Sequence, residues 1–364
     1  MDPVLEKVNN KERISKADII HLFNLKGDEI FDLFKLANKL NEKLHGNEVS
    51  FVINRNINFT NVCQFNCKFC AFHVSPDDES AFLLNSGEIR QKVAEALKIE
   101  PECSEICIQG GLHPDLTLEL IESYLHSIKE VSPSMHIHGF SPQEIWNLSR
   151  REKMSIGEIL TRLKASGLNS MPGTAAEILV DDIRREICPS KVRVEQWGKI
   201  IKTAHNIGLP STSTIMYGHI ESLNDIADHM EVIRNIQEAT GGFTEFVPLP
   251  FMQDGNPLGD KMEFYQTASG ILDMKLHAIA RLFFMDSIDN IQCSWVKLGV
   301  KFCQFLLYVG VNDFSGTLME ENISRMAGAS HGEYIDSNRM KTIIRSAGKT
   351  PVQRSTTYQI LARY

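Results

Sequence analysis

The chain has 364 residues, 43% of them hydrophobic, and a formal net charge of −8. That supports one large domain, and an α/β barrel of roughly 250 residues fits with extensions to spare. No Lys/Arg cluster suited to phosphates appears, which argues against a nucleic-acid partner, and no apolar run reaches the ~18 residues of a membrane span, so a soluble cytoplasmic protein without a membrane partner is expected.

Residues 1–48 read as a helical extension. Ser15 is placed to cap SKADIIHLF, Gly27 separates it from DEIFDLFKLANKLNEKLHG, and Gly46 ends that second helix. From Ser50 the rhythm changes. The strand candidates are SFVINRNINFT, SEICIQGG, MHIHGFS, LNSMPG, STSTIMYGH, TEFVPLPF, NIQCSW and VNDFSG. Amphipathic segments such as GEIRQKVAEALKI, LELIESYLHSIKEV and VEQWGKIIKTAHNIG lie between them. This alternation predicts parallel βαβ units, and eight strands close a full (β/α)8 TIM-type barrel. TLMEENISRMAG and SNRMKTIIRSAG predict a C-terminal helical closure. The expected division is an extension over 1–48, a core barrel over 49–290, and a segment over 291–364 that completes and caps it.

In such barrels the chemistry sits at the C-terminal ends of the strands. Those ends are polar here: Gln109-Gly110-Gly111, His138, the Pro172-Gly173-Thr174 turn with Glu177, Tyr217-Gly218-His219 with Glu221, Glu245, Ser294-Trp295, and Asn312-Asp313. A polar residue on every strand predicts a large polar-lined cavity. His138, Tyr217, His219, Glu245, Asn312 and Asp313 are its candidate substrate contacts. Individually, many of these residues also suit turns and helix caps, and His138 suits a hydrogen-bonded core position. Paired glycines at a strand end let a ligand approach the backbone closely.

Of eight cysteines, Cys103, Cys107, Cys188, Cys293 and Cys303 are scattered and read as small buried hydrophobes. Cys63, Cys67 and Cys70 form C-x3-C-x2-C just after the first strand. Three readings compete: a zinc site completed by His73, three incidental core cysteines, and a 4Fe-4S cluster with three protein thiolates and one open iron.

The triad, with Phe69 just before its last cysteine, resembles the signature of the radical S-adenosylmethionine (radical SAM) enzymes. The resemblance implies one 4Fe-4S cluster on Cys63, Cys67 and Cys70, with S-adenosylmethionine on the open iron. It also implies Phe69 beside the adenine and Gly110-Gly111 at the methionine amino group; Glu177 is a further cofactor-side candidate. His73 is left near the site without a role.

The segments INRNINFTNVCQFNCKFCAFHV, SEICIQGGLHPDL, HIHGFSPQE, NSMPGTAAEIL, MYGHIES, TEFVPLPFM, SWVKLG and NDFSGTLMEE resemble one subgroup of that family. It contains aminofutalosine synthase, the dehypoxanthine futalosine cyclase and the two halves of FO synthase, and the tyrosine-cleaving half is the most similar. The implied reaction cleaves L-tyrosine at Cα–Cβ and transfers a 4-hydroxybenzyl group to 5-amino-6-(D-ribitylamino)uracil, in coenzyme F-420 biosynthesis. A companion FO synthase subunit with its own cluster, and an electron donor such as ferredoxin or flavodoxin, are implied as partners. The alternatives are a futalosine-route enzyme of menaquinone biosynthesis and a non-enzymatic zinc-binding barrel.

Overall fold

A computed structural model of the chain describes residues 2–262 and 268–364. Three helices open it: α1 (Pro3–Asn9), α2 (Lys16–Phe23) and α3 (Glu29–His45). Ser15 caps α2 in a reciprocal box with Asp18, and α3 stops at Gly46, whose φ of 61° favours glycine. The short α1 carries no apolar periodicity long enough to read; Pro3 at its first turn and the Asp2 carboxylate, which accepts from Val4 N and Leu5 N, start it.

The barrel follows. Strands β1 (Glu48–Val52) and β2 (Asn54–Asn58) run on as one long first strand. After α4 (Ser86–Ile99) come β3 (Glu105–Gln109), α5 (Leu118–Val131) and β4 (His136–Gly139). Helices α6 (Pro142–Glu152) and α7 (Ile156–Ala165) precede a fourth position marked only by bridges at Ser170 and Met171. Pro172 has no N–H to extend that ladder. Helices α8 (Asp181–Ile187) and α9 (Val194–Asn206) lead to β5 (Ser211–Tyr217), α10 (Leu223–Thr240) and β6 (Phe243–Pro250). Helix α11 (Gly270–Phe283) leads to a seventh position bridged at Ile291 and Gln292. It is cut short by α12 (Trp295–Leu298), which α13 (Val300–Leu306) and β7 (Asp313–Gly316) follow. All neighbours in this circuit are parallel, and β7 returns to β1 through Ser50–Asp313 and Val52–Gly316, so eight positions close a (β/α)8 barrel.

Local sequence explains the helix starts. Asn85, Ser141, Ser155 and Ser222 each precede an acidic residue three positions on, and each pair bonds reciprocally. The opening helices pack on the barrel's outer helices: Lys275 Nζ of α11 donates to Phe23 O and Leu25 O at 2.7 Å each, and Arg234 Nη1 of α10 donates to Ile14 O.

The C-terminal region departs most from its sequence pattern. Helix α14 (Asn322–Met326) is far shorter than TLMEENISRMAG suggests, and Leu318 and Met319 hold positive φ. Tertiary bonds override helix propensity there: Leu318 N donates to Asn54 Oδ1, and Glu320 pairs with Arg55 and Lys92. Helix α15 (Ser337–Ser346) forms as its pattern suggests. Two unforeseen strands follow, β8 (Thr350–Arg354) and β9 (Ile360–Arg363). The first runs parallel to β1 over Glu48–Phe51, below the stretch where β2 takes β3 as its neighbour, and the second is antiparallel to β8. TPVQR carries a proline and two polar residues, so its strand character comes from the partner it finds. Among the described residues, no helix is long and apolar enough to cross a membrane.

Candidate active site

The cysteine loop leaves β2 and folds back on itself through bridges Thr60–Leu83 and Val62–Val74. Its backbone is pinned from four sides. Cys63 N donates to Val74 O, Gln64 N to Leu112 O, Lys68 N to Ile187 O, and Leu258 N to Lys68 O. Cys67 is buried, while Cys63 and Cys70 are half-buried and Cys70 lines the barrel cavity. His73 Nδ1 lies 2.9 Å from Cys70 O, so that ring is engaged with its own loop. Burial alone would raise the Cys70 thiol, but bonds from His73 and from nearby backbone N–H groups outweigh it and lower it; burial pushes Cys67 up to about 12. Among the described residues, no three His, Cys, Asp or Glu groups close around a single metal ion.

Gly110 and Gly111 lie against this loop. A Cβ on Gly111 would stand 2.1 Å from Val62 O and 3.1 Å from Cys63 Cβ, and one on Gly110 would stand 2.6 Å from the Phe59 ring. The carboxylate of Glu144 accepts from Gly110 N at 3.2 Å and from Ser141, and burial pushes it up to about 7. Gly111→Ala is therefore expected to displace the Val62–Cys63 backbone at a cost of about 1–3 kcal/mol. Iron content and S-adenosylmethionine affinity after anaerobic reconstitution should fall well beyond the change in melting temperature. Retention of both would show that the close approach is not needed.

Strand alternation builds the rest. Side chains at every second residue face the same way, and here the inward set is polar along β2 (Asn54, Asn56 and Asn58) and mixed elsewhere: Glu105, Cys107 and Gln109 on β3, Thr212, Thr214 and Met216 on β5, and Glu245, Val247 and Leu249 on β6. A barrel of this class normally fills its interior with branched apolar side chains. This one encloses a cavity of about 350 Å³. Cys70, Phe69, Glu177 and Lys297 line its upper part; Glu105, His138, Glu245 and Arg354 line its floor.

The floor is tied together by Asp313 of β7, Arg354 of β8 and the turn that follows β8. Arg354 donates through Nε to Asp313 Oδ2 at 2.5 Å and through Nη2 to Asp313 Oδ1 at 3.1 Å and Glu245 Oε2 at 3.5 Å. Tyr358 OH donates to the same Glu245 oxygen, and Thr356 Oγ1 donates to Glu105 Oε2 at 2.6 Å. Burial, opposed by Arg354 and helped by Asp313, pushes Glu245 up to about 7. His138 Nδ1 meets Ser170 Oγ at 2.7 Å, and burial holds His138 below the usual histidine range.

The structure thus brings Cys70, Phe69, Glu177, His138 and Glu245 to one cavity, with Asp313 beneath it on Arg354. It places Tyr217, His219 and Asn312 elsewhere. Tyr217 has the outward parity of β5 and donates to Asp273 Oδ1 at 2.7 Å. His219 is sealed against Phe251, 3.0 Å from Glu221 Oε2. Asn312 accepts from Arg281 Nη2 and Ile291 N. Cys107, one of the scattered cysteines, lines the cavity wall. Lys191 carried no sequence signal; its Nζ lies 2.5 Å from Glu177 Oε1 and 5.1 Å from the Phe69 ring centre. Burial opposes its charge, but Glu177 and the Cys67 and Cys188 sulfurs outweigh burial and push Lys191 above the usual lysine range.

Comparison with known proteins agrees with this geometry. Residues 57–233 match the family model of the radical SAM superfamily, and residues 240–363 match the CofH/MqnC C-terminal region. Among solved structures, methylornithine synthase (PylB) superposes with a TM-score of 0.72 at 17% identity over 95% of each chain. The FeFe-hydrogenase maturase HydG from Carboxydothermus hydrogenoformans gives 0.75 at 15% identity, over 98% of this chain and 80% of that one. Fold and cysteine loop together define a radical SAM enzyme. A 5-amino-6-(D-ribitylamino)uracil–L-tyrosine 4-hydroxyphenyl transferase from Methanococcus aeolicus is 47% identical over 97% of this chain and 98% of its own. One from Methanocaldococcus jannaschii is 46% identical over 99% and 100%. The chain belongs to this transferase family.

Proposed function

We propose that the protein cleaves L-tyrosine at Cα–Cβ and transfers its 4-hydroxybenzyl group to 5-amino-6-(D-ribitylamino)uracil. The observation that carries this reading is a barrel cavity lined by polar side chains at its floor and along β2 (Glu105, Glu245, Arg354, Asn54, Asn56 and Asn58) and by apolar ones higher on β5 and β6 (Met216, Val247 and Leu249), opening at the top onto Cys70 and Phe69. It is supported by the near full-length similarity to transferases of that name.

In this reading Cys63, Cys67 and Cys70 hold a 4Fe-4S cluster and leave one iron for S-adenosylmethionine. The donor set fits: three thiols sit on a pinned loop, His73 stays engaged with Cys70 through its carbonyl and its thiol, and Gly111 keeps the opposite wall free of a side chain. When bound, the cluster and S-adenosylmethionine supply a one-electron cleavage of the sulfonium and hence a hydrogen-abstracting carbon radical. The chain's own task is confinement. The barrel wall and the C-terminal floor exclude bulk water, so a reactive centre meets only what the cavity positions. Asn54, Asn56, Asn58, Thr212 and Thr214 offer donors and acceptors along the wall, as a hydroxyl-rich ribityl chain requires. Phe69, with Lys191 above its ring and Glu177 beside that lysine, forms the cofactor-side wall. A one-electron donor such as ferredoxin or flavodoxin, and a companion synthase subunit that closes the deazaflavin ring, complete the reading.

The test is product identification. Anaerobically reconstituted, reduced protein with S-adenosylmethionine, L-tyrosine and the ribitylaminouracil should yield 5′-deoxyadenosine together with a hydroxybenzylated uracil. A new product formed only from a futalosine-type substrate would overturn the assignment. A colourless protein that holds zinc and takes up no iron would overturn the radical chemistry itself.

A further inference from the structure

Six side chains with formal charge line the barrel cavity among the described residues: Glu105, Glu177, Glu245, Glu321, Lys297 and Arg354. Five are committed to protein partners. Glu105 accepts from Asn54 and Thr356, and Glu177 pairs with Lys191. Glu245 pairs with Arg354, which is bidentate on Asp313, and Glu321 accepts from Asn56 Nδ2 at 2.6 Å and Ser324 N at 3.0 Å. Lys297 alone has no side-chain hydrogen bond or ion pair among the described residues.

Its position is built. Lys297 lies on α12, whose Trp295 is fully buried and donates Nε1–H to Gly316 O at 2.9 Å. Lys297 lines the upper barrel cavity and also a second cavity of about 490 Å³ beside Phe251, Asp254 and Phe302. Burial pushes Lys297 below the usual lysine range, while Glu321 and Glu177 pull against this from beyond ion-pair distance. A half-buried ammonium with no partner of its own gains from an anionic ligand in the cavity it lines. The floor offers no rival site: its one cation, Arg354, already serves Asp313 and Glu245, and a further carboxylate would meet Glu105 and Glu245.

We propose that Lys297 receives the α-carboxylate of the amino-acid substrate. The assignment rests on the tyrosine reading above, and it fixes the polar end of that substrate at the cluster side of the cavity.

The test uses anaerobically reconstituted holoenzyme, unreduced and saturated with S-adenosylmethionine, with binding followed by equilibrium dialysis. Lys297→Met keeps most of the side chain's length and removes its charge. It should weaken L-tyrosine binding roughly 10- to 100-fold, the usual effect of losing a charge-assisted bond. Tyramine, which lacks the carboxylate, should bind both proteins alike. Lys297→Arg should restore most of the affinity, which a merely structural defect would not allow. Equal L-tyrosine affinity in Lys297→Met and wild type would overturn the proposal. So would a loss of S-adenosylmethionine affinity in place of L-tyrosine affinity, since Lys297 would then serve the cofactor's carboxylate. A wild-type protein that binds no L-tyrosine would overturn the functional reading itself, and this inference with it.

Discussion

Cys67→Ala is expected to leave a folded protein that assembles no stable cluster and cleaves S-adenosylmethionine only at background rate. Folding should survive because the loop is held by its backbone: Cys70 N donates to Cys67 O, and Lys68 bonds Ile187 and Leu258 through its main chain. The buried sulfur adds little to that, about 1 kcal/mol of packing. The cluster has no such reserve, because two thiolates cannot hold a cube that already lacks a fourth protein ligand. Iron analysis and the visible spectrum after reconstitution read the result directly. Cys293→Ala is the matched control. Cys293 is fully buried with its Sγ 3.5 Å from Asp313 O, far from the loop in its bonding, and its loss should leave iron content and S-adenosylmethionine cleavage largely intact. Equal loss in both variants would contradict the division between clustered and structural cysteines.

Arg354→Met is expected to cost about 3–5 kcal/mol of stability, because it strands the buried carboxylates of Asp313 and Glu245. Arg354 is 41 residues from Asp313 and 109 from Glu245 along the chain, yet it joins them beneath the cavity. Adding Asp313→Asn should recover part of the loss, since the second change removes one stranded charge. The pH dependence has a definite sign. Folded Glu245 titrates at about 7 against an ordinary 4.5, so the folded state holds the proton more tightly, and stability falls as pH rises through that window. Without Arg354 its proton is held more tightly still, so the deficit of the variant should be largest near pH 8 and shrink toward pH 5.5. Denaturant unfolding at the two pH values measures it; a variant within about 1 kcal/mol of wild type at pH 8 would deny the C-terminal strands their role as floor.

Several features of the site were legible locally. The cysteine spacing, the glycine pair and the helix caps such as Ser141 with Glu144 each act within a few residues, so the sequence displays them directly. The inward parity of β2 was legible too, though easily overlooked: NRNIN places asparagine at every second position, where a packed barrel would place apolar residues. Attention to strand ends alone drew in Tyr217 and Asn312, whose neighbours face the other way. By contrast, Lys191 and Arg354 lie in segments with no pattern of their own, Lys297 lies in SWVKLG without a role of its own, and only their surroundings distinguish the three from surface cations.

The sequence by itself determined the barrel, its eight-strand rhythm, the three-thiol loop and the family, because period-two and helical spacing and a short motif are local properties of the chain. Only the tertiary structure decided which polar residues share the cavity, that β8 and the turn after it close the floor, and that Lys297 lines the interior with no partner among the described residues. The physical reason is distance along the chain. Charge compensation and burial are settled by groups tens to hundreds of residues apart, and no local pattern encodes which of them will meet.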